Sequence, residues 1–131
     1  MTIQQPEFFR VDDEGHGCFE PVGETTLGAT TDAVNNAIKY CREAGIRCLL
    51  VNVKEVTGFP SPTIPERFEF ISRWAETSAG KVLISVVARP EMVLKDKFGV
   101  LIAANRGMVS DVFSDEDEAT KWLKEACKRA S

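Results

Sequence analysis

Ser61 and Thr63 are the residues whose types and setting could carry chemistry. They lie in VTGFPSPTIPE, Val56 to Glu66, directly after the apolar run CLLVNV. A hydroxyl in a proline-stiffened segment after a buried strand can accept a phosphate from a kinase, donate to a bound anion, or cap a helix. Two arginines could face the same end of a sheet and hold an anionic group: Arg89, in Arg89-Pro90, and Arg106, in Asn105-Arg106-Gly107. Each feature also has a structural explanation. Thr63-x-x-Glu66 has capping-box spacing, the prolines suit a helix start, and Arg106 with Gly107 suits a helix C-terminus.

Other reactive groups are sparse. The four cysteines are Cys18, Cys41, Cys48 and Cys127, and the one histidine, His16, sits between glycines in EGHGC. No C-x-x-C pair is present, so the spacing carries no zinc signature. The expectation is four reduced thiols serving as small hydrophobes, a turn at His16, and neither metal nor cofactor. No G-x-G-x-x-G, Walker, G-x-S-x-G or H-E-x-x-H arrangement appears. With no nucleophile or base to name, the sequence reads as non-enzymatic.

Composition narrows the class further. The chain has 131 residues, 44% apolar and 27% charged, with a net charge of −4. That length fits one domain with a real core, expected over 1–131 with the ordered part at about 8–127. The basic residues are scattered, which argues against a nucleic-acid face. The N-terminus MTIQQPEFF lacks the basic and apolar regions of a signal peptide, and no apolar run is long enough to cross a bilayer. A cytoplasmic protein without a membrane span is expected.

The elements that must position these residues follow from periodicity. FFRVDD and CFEPVG, separated by EGHG, suggest an N-terminal hairpin. TTDAVNNAIKYCREAG reads as a first helix with Val34, Ala37, Ile38 and Cys41 on one face, capped at Thr30 or Thr31 and stopped at Gly45. CLLVNV and KVLISVVA are apolar on both faces, as central parallel strands are, so Leu49 to Val53 and Val82 to Val87 are expected to be adjacent or near-adjacent strands. IPERFEFISRWAETSAG gives a second helix whose core stripe is read as Ile64, Phe68, Ile71 and Ala75. A third is expected from about Lys95, with Phe98, Leu101, Ile102 and Asn105 along one side. SDVF is a short last strand. A fourth helix follows, capped by Ser114 and Asp117, with its acids in the first turn and its bases toward the end. The order implies an α/β domain: an N-terminal hairpin, then alternating helices and strands, with a mainly parallel central sheet flanked by four helices.

This reading leaves surplus apolar residues. Phe70 and Trp74 form a second stripe on the second helix, and Phe59, Val93 and Leu94 flank it. They are expected to make a functional surface with the third helix: an interface for an unidentified protein partner, a homodimer face, or a pocket for a small apolar or amphipathic ligand. A closed pocket would favour the ligand, and a flat patch the protein partner.

The order of elements, with LLVNVKEVTGFPSPT at its middle, resembles the STAS superfamily, the fold of bacterial anti-sigma-factor antagonists. GKVLISVVARPEMVLKDKFGVLIAANRG followed by DVFSDEDEATKWL is similar to its stage-II-sporulation-AA-like branch. The resemblance runs from about Phe8 to Leu123. It implies a STAS-like single domain acting as a regulatory or protein-interaction module. In the antagonists an Asp-Ser pair at a helix start carries the phosphorylated serine. Here Asn52 stands at the strand Asp, Val56 matches the Val, and Pro60-Ser61 replaces Asp-Ser. The hydroxyl is kept and the acid before it is lost. Ser61 is therefore expected not to be an obligatory phosphoswitch: mass spectrometry of protein from its own host should find it mainly unmodified, and stoichiometric phosphate there would overturn this.

Overall fold

The computed structural model describes residues 4–94 and 97–130. β1 (Phe9–Val11) and β2 (Gly17–Phe19) form the expected antiparallel hairpin, with Phe9 opposite Phe19. The next elements are β3 (Gly23–Glu24), α1 (Leu27–Ala44), β4 (Cys48–Asn52), β5 (Val56–Thr57) and α2 (Ile64–Ser78). The chain ends with β6 (Leu83–Val87), α3 (Phe98–Asn105), β7 (Ser110–Phe113) and α4 (Glu116–Ala130), after a single 3-10 turn at Pro90–Met92.

The main sheet has the order β1-β2-β4-β6-β7, parallel throughout except for the hairpin. β4 and β6 are adjacent and parallel, Leu49 opposite Ile84 and Val51 opposite Val86, as their two-sided apolar character requires. β3 and β5 form a separate parallel pair. The crossovers from β2 to β4, β6 and β7 advance across the sheet in one direction, so a common hand puts their helices on one face. The core shows this. Leu49, Val51 and Ile84 pack with residues of α1, α2 and α3, while Cys48, Leu50, Leu83 and Val87 pack with Ala119, Leu123 and Ala126 of α4. The strands alternate between the two layers because successive side chains point to opposite faces.

Several local expectations are corrected. The cap of α1 is Thr26, whose hydroxyl oxygen accepts from the Ala29 N–H at 3.1 Å. Thr30 and Thr31 lie inside the helix, buried, with their hydroxyls donating to the Thr26 and Gly28 carbonyls. The α4 cap is Asp115, whose carboxylate accepts from the Asp117 N–H at 2.8 Å; the Ser114 carbonyl accepts from Lys54 Nζ. The expected start of α3 near Lys95 falls outside the described residues. Within α3, Ile102 and Ala103 are buried, whereas Leu101 and Asn105 face solvent.

The stripe on α2 is also different. Ile64 and Phe68 are each 47% exposed, while Ile71, Trp74, Ala75 and Ser78 are buried. The observed face keeps Ile71 and Ala75 of the expected core stripe and adds Trp74 of the second, so periodicity alone leaves the rotation of the helix undecided. Packing against α1 decides it: Trp74 Nε1 donates to the Thr31 carbonyl at 3.1 Å, and Phe70 packs on the indole with ring centroids 4.8 Å apart. The indole is thus part of the core, with its one donor satisfied.

The expectation of four reduced thiols fails at one pair. Cys48 and Cys127 form a disulfide across 79 residues of sequence. The spacing hides it, because the two meet only when α4 lies across the start of β4. Cys18 and Cys41 are buried free thiols. Burial pushes the Cys41 thiol from 9.0 up to about 12. A thiol that stays protonated in the folded state while the unfolded chain ionises contributes stability that is complete below pH 9 and lost as pH rises from there toward 12. Urea unfolding at pH 8, 9 and 10 should therefore show a falling free energy, with at most about 1.4 kcal/mol per pH unit from Cys41. Cys41→Ala should make the slope shallower, and part of what remains comes from Cys18, where burial also raises the thiol pKa.

Candidate functional site

The segment at Val56–Glu66 is held by its own structure. Gly58 has φ of 112°, and a Cβ there would collide with the Thr25 carbonyl oxygen, so only glycine lets this segment close on the β3 region. Thr63 and Glu66 make the expected capping box: the Thr63 hydroxyl oxygen accepts from the Glu66 N–H, and the Glu66 carboxylate accepts from the Thr63 N–H at 2.8 Å. Arg67 ties the start of α2 to the turn after β6, donating from Nε to the Pro62 carbonyl and from Nη1 to the Met92 carbonyl. Burial lowers its pKa from the usual guanidinium value.

The residues singled out for a switch or anion site fall in different places. Ser61 is exposed and its Oγ donates to the Glu91 carbonyl at 3.1 Å. Arg89 comes close to it, but its guanidinium already donates to the Val56 carbonyl at 2.9 Å and pairs with the Glu91 carboxylate at 3.1 Å. Thr63 is engaged in the cap. Arg106 lies on another surface, its guanidinium 5.1 Å from the centre of the exposed Phe68 ring, beside Arg73 and Glu76. Ser61 and Arg89 meet around Glu91, and Arg106 is not part of that group.

The surplus apolar residues do converge. Phe59, Phe70, Trp74 and Leu94 line a cavity of about 130 Å³ bounded by α1, α2, α3 and the sheet; Val93 is half-buried outside its lining. Its floor is the sheet face carrying Val51, Ile84 and Val86, and α3 closes it with Gly99 and Val100. Gly99 permits a close approach of α3 to α2, since a Cβ there would meet Ile71 Cδ1 at 2.7 Å. The threonine hydroxyls in the wall are spent within α1, and the Thr31 carbonyl on the Trp74 indole. The wall therefore offers an occupant almost no hydrogen-bonding group.

Polar groups gather at one edge. Lys97 Nζ lies 2.6 Å from the Asp111 carboxylate and 4.8 Å from the centre of the Phe113 ring, and Arg67 borders the same cavity. Lys97 and Asp111 carried no sequence signal, because β7 and the entry to α3 meet only in the folded sheet. A second missed group lies on the opposite face, where His16, Cys48 and Cys127 come together. No helix among the described residues is long and apolar enough to cross a membrane.

Comparison with known proteins finds no matching family model, no matching curated protein and no matching solved structure.

Trp74 is 8% exposed and forms one wall of the cavity. Trp74→Ala should cost about 3–5 kcal/mol in urea unfolding, the range for a buried aromatic, and leave the Thr31 carbonyl without its donor. A loss under about 1 kcal/mol would show that the ring is not part of the core.

Proposed function

We propose that this chain is a non-enzymatic carrier or sensor that holds a small apolar or amphipathic molecule between α2, α3 and the sheet. The carrying observation is the cavity itself, about 130 Å³, whose exposed surface is mostly apolar, with polar side chains gathered at one edge. An apolar protein cavity of roughly 150 Å³ stays dry and takes up benzene, so the size suits one aromatic ring or a short alkyl chain. A concave cavity, partly open to solvent, favours this reading over a protein-partner surface built on Phe70 and Trp74, because Trp74 is buried and Phe70 half-buried in its wall.

The edge at Lys97 and Asp111 suits the polar end of an amphipathic occupant. An anionic head group would compete with Asp111 for the Lys97 ammonium, beside the half-buried Arg67 that lines the same cavity. α3 is the wall whose displacement costs least. It spans eight residues, buries only Ile102 and Ala103 among those described, and begins without a side-chain cap. Entry past α3 would link occupancy to the outer surface, where Phe68 and Leu101 are exposed. A STAS-like regulatory role would then be the output of the same site: occupancy read by a protein partner on the α2–α3 surface.

Benzene and hexanoate serve as probes in NMR titrations. Both should shift the Trp74 indole and Phe70 resonances with saturable, submillimolar to millimolar affinity. Val86→Phe, which fills the cavity from the sheet side, should abolish both responses while leaving the fold intact. Lys97→Ala should weaken hexanoate and spare benzene. Absence of saturable shifts at these residues, or shifts that survive Val86→Phe unchanged, would refute the ligand reading.

A further inference from the structure

On the face of the sheet away from the cavity, one imidazole nitrogen of His16 and the sulfurs of Cys48 and Cys127 all lie within 4.8 Å of one another. We propose that these three side chains form a reduction-dependent site for a soft divalent cation, zinc above all. The Cys48–Cys127 disulfide is the closed state of that site, and the dithiol its binding state.

The topology builds the group. β2 runs parallel to β4 with Gly17 beside Leu49, so one step back sets His16 alongside Cys48. Alternation then aims both side chains at the α4 face, where Cys48 packs with Leu123 and Ala126 and α4 delivers Cys127. A disulfide that only tethers α4 to β4 has no use for an imidazole beside it. This imidazole is also held in place. The Asp12 carboxylate accepts from the Glu14 and His16 backbone N–H groups, both at 2.9 Å, so the turn is wound around that acid. His16 Nδ1 faces the Asp12 and Glu14 carboxylates at 3.6 and 4.0 Å. A carboxylate near the ring nitrogen that does not bind is the arrangement by which metal-binding histidines are oriented.

The donor set decides the class of ion. Two thiolates and an imidazole suit zinc and similar soft or borderline ions, and exclude calcium and magnesium, which take oxygen ligands. Bonds of about 2.3 Å to sulfur and 2.0–2.1 Å to nitrogen separate tetrahedral ligands by roughly 3.5–3.8 Å. The three ligand atoms therefore need to move only about an ångström once the sulfur–sulfur bond is broken. Three protein ligands leave the fourth position to water or an exchangeable ligand.

The redox step balances with a dithiol reductant. One of its thiolates attacks Cys127 Sγ, the less buried of the two sulfurs, breaking the disulfide and releasing the Cys48 thiolate. Its second thiol attacks the mixed disulfide, releases Cys127 and leaves as the reductant's own disulfide. Two electrons and two protons pass to the chain, and the cation then displaces the two thiol protons.

The experiment uses the full chain with cobalt(II) as a spectroscopic probe and zinc as competitor. After reduction, one equivalent of cobalt should give thiolate-to-metal charge-transfer absorption and the visible bands of a tetrahedral site, and zinc should bleach both. The oxidised chain should give neither. His16→Ala should weaken binding at least tenfold, and Asp12→Asn by about 10–100-fold through loss of the orienting carboxylate. Circular dichroism of each oxidised variant, with the disulfide intact, controls for folding. Should reduction alone unfold the chain, zinc must restore its far-ultraviolet spectrum. The proposal is overturned by no charge transfer in the reduced chain, by equal binding in the oxidised chain, by undiminished affinity in His16→Ala, or by failure of zinc to refold an unfolded reduced chain.

Discussion

The in-register pairing of β4 with β6 is the constraint on which the rest depends. Cys48 to Asn52 face Leu83 to Val87 residue for residue. Leu49, Val51, Ile84 and Val87 are fully buried, and Leu50 and Leu83 nearly so. Each such side chain contributes about 1.5–3 kcal/mol by leaving water, and that gain exists only if both faces of the strand pair are covered. Burial on two faces therefore requires helices on two faces. α1, α2 and α3 supply one cover, and α4, arriving after the last strand, supplies the other. The one polar side chain buried between these paired strands and α4 serves the same end: Ser85 Oγ donates to the Ala119 carbonyl at 2.9 Å, fixing the first turn of α4 over β6.

Once α4 is fixed at its start, its far end has little choice. Arg47 Nη2 donates to the Ala130 carbonyl at 2.8 Å, and Cys127 comes to Cys48 at the start of β4. On the other face the decisive contact is the bond from the Trp74 indole to the Thr31 carbonyl, which sets the rotation of α2. Turning Trp74 and Phe70 inward leaves Ile64 and Phe68 outside. It also surrounds a space that short α3, approaching at Gly99, does not fill.

What the sequence disclosed and what it concealed divide along a physical line. Period and local chemistry were legible. The two-sided apolar runs gave β4 and β6 as adjacent or near-adjacent strands, and the Thr63–Glu66 spacing gave the α2 cap. Alternating elements gave an α/β fold with a mostly parallel sheet. Relations between distant elements were not. The stripes through Phe68 and through Trp74 both satisfy helical periodicity, and only α1 chooses between them. Thr26 caps α1 although Thr30 and Thr31 stand nearer the apolar face. Cys48 and Cys127 are distant in sequence, and His16 joins them only through strand register. Phe59, Phe70, Trp74 and Leu94 were legible as residues in surplus, while the cavity they line depends on the placement of α3.

The strand period of two then separates the chemistry of the two faces. Val51, Ile84 and Val86 give their side chains to the cavity; Leu50 and Ser85, their neighbours by one residue, and Cys48, two residues before Leu50, give theirs to α4. The two candidate sites share strands and backbone hydrogen bonds, and share no side chain. Substitutions without common partners at such separations usually act additively. A change at Val86 and a change at His16 should therefore combine as a sum in stability, unless the sheet itself transmits strain. Close-packed interiors do transmit it when a strand is displaced. Opening the disulfide frees α4 from the start of β4, and β4 is the strand whose other face forms part of the cavity floor. Any departure from additivity between the two faces thus has a defined route, through displacement of β4 in its register with β6.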